Sequence, residues 1–81
     1  MNLERAALRS QIAIEERNLR EAKIEAGLLR TVLREKLGAW IDIEDIEVDK
    51  VQLACTRLCG AITRARESQA RTKTLEEGLN G

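Results

Sequence analysis

The stretch Leu8–Trp40, LRSQIAIEERNLREAKIEAGLLRTVLREKLGAW, decides the fold. Within it Leu8, Ile12, Leu19, Ala22, Ala26, Leu29, Leu33 and Trp40 succeed one another at steps of three, four or seven residues. At 3.6 residues per turn all eight fall in one stripe of an α-helix, the pattern of a face that must be covered. Only Gly27 interrupts the helix-forming residues, at about 1 kcal/mol relative to alanine. It marks either the close approach of another backbone or a tolerated surface position. Upstream, Asn2 is placed to cap the helix and Glu4 to complement its dipole. Downstream, Arg34 and Lys36 fill the last turn, and Gly38 is expected as the left-handed residue that ends it. The spacing predicts a first helix over about residues 3–37.

A second stripe runs along the same helix: Leu3, Ala7, Ile14, Ile24, Leu28 and Val32. At 100° per residue it lies roughly opposite the first, interrupted by Ser10, Arg17, Glu21 and Thr31. A helix with one neighbour needs one apolar stripe, so two stripes predict a second neighbour. The expected association surface is therefore Leu3, Ile14, Ile24, Leu28 and Val32, with the lone aromatic Trp40 as a further anchor.

Residues 38–44 are expected to form a turn. The alternation of apolar and acidic residues from Trp40 to Asp49 is that of a strand, but a lone strand has nothing to pair with. A turn leading into an acidic helix start is preferred, with Asp42 or Asp45 as the cap and Trp40 and Ile41 plugging the bend. A second helix follows over about residues 45–74. Its seam is Val51, Ala54, Leu58, Ala61 and Ala65, flanked by Cys55 and Ile62 and fading to Ser68 and Thr72. Residues 75–81 read as a frayed tail. The fold expected is all-α: one domain over residues 1–81, a long antiparallel, coiled-coil-like helical hairpin that dimerises into a four-helix assembly.

Bulk composition agrees. The chain has 81 residues, no proline, no histidine, one aromatic residue, and 14 basic against 14 acidic side chains. A chain this short buries roughly 60% of its unfolded surface, and without aromatic area a compact monomeric core is poorly supplied. Zero net charge excludes strong bulk steering toward nucleic acid or an anionic membrane. No apolar run approaches the roughly 20 residues of a membrane span. The opening Met1-Asn2-Leu3-Glu4-Arg5 has no secretory apolar core, so the cytoplasm is the expected compartment, with both cysteines reduced.

Catalysis has little foothold: no histidine or tyrosine, no glycine-rich phosphate loop, no nucleophile beside a base. No enzyme activity and no cofactor are expected. Cys55 and Cys59 share a helix face at i, i+4, but one such pair without histidine is weak as a zinc motif, and small covered cysteines are the simpler reading. The acidic run from Asp42 to Asp49 lacks the calcium-loop glycine and its terminal glutamate. Across the hairpin, Arg30, Arg34 and Lys36 are expected to meet that acidic run, and Arg64, Arg66, Arg71 and Lys73 to meet Glu4, Glu15 and Glu16.

The function expected is interaction. The chain would be a small adaptor, chaperone-like or assembly protein, partnering itself and another protein through an apolar helix face. The competing class is a small helical nucleic-acid-binding regulator using Arg57, Arg64, Arg66, Arg71 and Lys73. That class is disfavoured, because no aromatic residue lies among these cations to stack on bases.

Overall fold

The computed structural model describes residues 2–80, and Met1 and Gly81 lie outside it, as does the side chain of the expected cap Asn2. The chain is an all-α hairpin. Helix α1 spans Asn2–Lys36, a single 3-10 turn spans Ile43–Asp45, and helix α2 spans Val48–Asn80. The rod measures 63 × 16 × 13 Å, and its radius of gyration is 18.2 Å. A globular chain of this length has a radius nearer about 12 Å. No helix is long and apolar enough to cross a membrane among the described residues.

The two helices run antiparallel, pinned at three heights. Lys36 Nζ meets Glu47 Oε2 at 3.0 Å beside the turn. Arg64 pairs with Glu25 in the middle. Arg71 Nε meets Glu15 Oε2 at 2.6 Å toward the free ends. Of the expected cross-helix pairings, Lys36 with Glu47 and Arg71 with Glu15 are present, whereas Arg64 takes Glu25. Exposed pairs contribute only about 0–1 kcal/mol each, so they select the register more than they hold the fold.

The first stripe of α1 faces α2. Ala22 is buried, and Leu8, Ile12, Leu19, Ala26, Leu29 and Leu33 are half-buried. On α2 the covered positions recur with a strict seven-residue repeat. Ala54, Ala61 and Ser68 are buried, Val51, Leu58, Ala65 and Thr72 are half-buried three residues before or four after them, and Leu79, seven after Thr72, is half-buried too. This is the alternation of an antiparallel coiled-coil seam. Among the described residues every buried side chain is small: Ala22, Ala54, Ala61 at 0% exposure, and Ser68. A residue the size of alanine is enclosed only when the facing backbone comes close. The larger aliphatics therefore lie along the edges of the seam, covered on one side.

Four expectations for the bend and the tail are corrected. First, α2 does not fray at residue 75 but continues to Asn80. Leu75 and Leu79 extend the seam and are half-buried, and a Cβ at Gly78 would stand 3.9 Å from the Leu8 side chain. A mid-helix glycine costs about 1 kcal/mol, which partial cover of two leucines offsets. Second, α2 starts at Val48. Asp42 precedes the 3-10 turn without a side-chain capping bond, Asp45 lies within that turn, and Ile46 is extended at φ −68°, ψ 126°. β-branched residues cluster here and resist helix until Val48. Third, Trp40 does not plug the bend, being 75% exposed, and Ile41 and Ile46 fill it instead. Nor is Gly38 left-handed, since no glycine has positive φ among the described residues. Its small size matters differently: a Cβ at Gly38 would overlap the Trp40 indole, which lies across it.

Two outcomes follow. Ala61→Leu forces the helices apart where cover is complete, so thermal unfolding followed by circular dichroism should show a loss of about 1–3 kcal/mol. Gly38→Ala displaces the exposed Trp40 ring rather than the backbone. Stability should change by no more than about 0.5 kcal/mol, while the emission of this single tryptophan shifts and its anisotropy falls.

Candidate interaction surfaces

The outer stripe of α1 is bare. Leu3, Ile14, Ile24 and Leu28 are exposed to between 50% and 86%. Val32, expected on the same surface, is half-buried at the margin of the seam. Gly27 is exposed, and among the described residues nothing outside its own helix backbone and chain neighbours lies within 4 Å of a Cβ placed there. Trp40 stands at the turn end of the rod with Leu37, Ile43 and Val48, all exposed. That second apolar cluster was legible only in part. Its signal is a set of apolar residues between 37 and 48 that neither seam claims, and the acidic residues interleaved with them read as helix-start chemistry.

The outward side of α2 offers less. Thr56, Thr63 and Thr74 each donate their hydroxyl to the carbonyl four residues back, at 3.0, 2.9 and 3.1 Å. Their donors are satisfied within the helix, so this face is polar without presenting free groups.

The two flanks of the hairpin differ in charge. On one, Asn18, Glu21 and Glu25 of α1 face Arg64, Ser68 and Arg71 of α2 across a shallow cleft. Ile14 of the bare stripe opens onto the same side, beside Arg71 and Leu75. Arg71 Nη2 also donates to the buried Ser68 Oγ at 3.3 Å, so the arginine fixes both a carboxylate and the polar core residue. On the other flank, Leu19, Lys23, Ala26 and Arg30 of α1 face Ile62, Ala65, Arg66 and Gln69 of α2 around a groove of about 500 Å³. Lys73 and Glu76 continue that wall.

The cations expected to form one nucleic-acid face are therefore divided. Arg57, Arg64 and Arg71 recur every seven residues along one flank. Arg66 and Lys73 recur every seven along the other, offset by two residues, or about 200° around the helix. Arg64 and Arg71 are engaged with Glu25 and Glu15. A contiguous count of basic residues hides this division.

The expected cover of the cysteines is also absent. Cys55 and Cys59 are free and exposed, one position outside the seam on the side of Ile62. Among the described residues no group of three or more cysteine, aspartate or glutamate side chains is placed to hold a metal ion.

Two carboxylates are tuned by their partners. Hydrogen bonding from Arg71 holds Glu15 below the ordinary glutamate range, helped by Asn18 and opposed by partial desolvation. Lys36, then Lys50, lower Glu47 in the same way. A carboxyl whose folded pKa is depressed contributes stability above its unfolded pKa, and that contribution disappears as pH falls through the folded value. Acid should therefore weaken the hairpin below about pH 4.5. Arg71→Gln removes the chief cause at Glu15, so thermal melts at neutral and acid pH should differ less for that variant than for the native chain.

No protein-family model, no curated protein and no solved structure matches this chain.

Proposed function

We propose that this chain is a small non-catalytic interaction protein, an adaptor or assembly factor, that works by offering the bare stripe of α1 to another helix. Its first partner is a second copy of itself, in a four-helix arrangement, and a different protein can take the same face. The observation that carries this reading is the mismatch between apolar supply and cover. Only alanine and serine are fully enclosed in the single hairpin, while Leu3, Ile14, Ile24 and Leu28 stand in a row with half or more of their surface wet. Burying an aliphatic side chain of this kind contributes about 1.5–3 kcal/mol, so a row of four is enough to drive association of a thin rod.

Helix geometry makes the offered face specific. The stripe is punctuated by Arg17 and Glu21, and Glu25 and Arg64 border it, so a partner helix must match charge as well as apolar spacing. This is recognition of helix by helix, in which residues three, four and seven apart act as anchors.

Light scattering coupled to size exclusion tests the reading. The native chain should elute as a dimer or larger, and Ile14→Glu with Leu28→Glu should give a monomer with a lower melting midpoint. A native chain that is monomeric at micromolar concentration, with unchanged stability on dilution, rejects it.

A further inference from the structure

We infer that the flank carrying Lys23, Arg30, Arg66 and Lys73 is a docking surface for the phosphate backbone of a duplex nucleic acid. This inference rests on other residues than the association face just proposed, whose Ile14 opens beside Arg71 on the other flank.

Both helices contribute to the surface. Lys23 and Arg30 of α1 face Arg66 of α2 across one groove, and Lys73 follows along the same wall. In each helix the two cations are seven residues apart, or about 10 Å along the axis. Helical spacing adds Arg20 beside Lys23 and Arg34 beside Arg30. The acid on the groove walls is Glu76, and the same helical spacing sets Glu16 four residues before Arg20 and Glu77 four after Lys73, all at the end away from the bend. Among the described residues none of these six cations is in an ion pair, whereas Arg64 and Arg71 on the opposite flank both are. A chain with no net charge thus gathers six cations without ion pairs on this flank, whereas the opposite flank has one such cation, Arg57, beside its two paired arginines.

The helix dipole does not explain the arrangement. Its favourable sites for cations are the last turns of the helices, and Lys23, Arg30 and Arg66 lie well inside theirs. Between the cations the groove is lined by Leu19, Ala26, Ile62 and Ala65, apolar surface of the kind that the aliphatic stems of lysine and arginine cover while their charged heads stay in water. Two parallel rows of cations on a straight rod match a polyanion with regularly spaced charges on a stiff axis. No aromatic side chain is present on this flank to stack unpaired bases, which favours a duplex over a single strand. Gln69 is the one amide on the groove walls, so recognition rests on charge and shape rather than on base edges.

Fluorescence anisotropy with a labelled mixed-sequence duplex of about 20 base pairs tests the site. Four phosphate contacts give a slope of about −3.6 in log affinity against log salt, a fall of roughly 100-fold between about 50 and about 200 mM. Lys23→Gln with Arg66→Gln should lower affinity at least tenfold and flatten the slope by about 1.8. Lys50→Gln with Arg57→Gln, which removes the same charge from the other flank, should leave both nearly unchanged. Circular dichroism and light scattering on both pairs check that fold and association are retained. The site is overturned by an equal loss in both variant pairs, or by no duplex binding at the lowest salt. It is equally overturned by tighter binding to a single strand or to poly-glutamate than to the duplex, the last pointing to an acidic protein instead.

Discussion

The close meeting of two helices over alanine and serine is the constraint on which the rest of the molecule depends. Ala54, Ala61 and Ser68 recur every seven residues on α2 and are fully enclosed, with Ala22 on the facing helix. Such small residues let the backbones approach, and close approach leaves little room between them for anything larger. The leucines and isoleucines of the seam are pushed to its edges, where one helix covers one side of each. A single layer of two helices cannot do better, because it has no third element to close over them. Apolar surface therefore remains at the margins of the seam even where the hairpin is best packed.

That constraint gives the two helices unequal roles. Helix α1 carries a covered stripe and a bare one, so it is both structural member and contact surface. Helix α2 has its seam on one side and threonines folded back onto their own carbonyls on the other. It presents no comparable apolar row outward. What α2 does contribute is charge on its two flanks, split by the helical offset between Arg57, Arg64, Arg71 and Arg66, Lys73. Glu25 and Glu15 pair with Arg64 and Arg71 on one flank, and the cations on the flank with Lys23 and Arg30 are in no ion pair among the described residues. One rod thus has a bare apolar stripe along α1 and a basic flank that both helices share.

The bend follows the same economy of space. Ile41 and Ile46 are half-buried against the helix ends, and Trp40 is turned outward over Gly38. The indole is too large for a corner built where two helices already sit close. Its exposure, with that of Ile43 and Val48, makes the tip of the rod apolar and acidic at once.

Local pattern alone determined the class of fold, the antiparallel pairing and the residues of the seam. Those follow from periodicity, from helix formers interrupted only by Gly27 between residues 3 and 37, and from a connection too short for parallel helices. The bare stripe was also legible, because spacing fixes which residues of one helix share a side. The end of α2 was misread at Leu75, since glycine near a terminus signals fraying unless a neighbour is known to lie alongside. The corner was misread at Trp40, since side-chain size argues for burial only where there is room. The division of the basic residues into a paired and an unpaired flank was decided by tertiary structure. Which acid stands opposite each arginine depends on how the second helix is rotated and in what register it lies, and no single-helix periodicity contains that information.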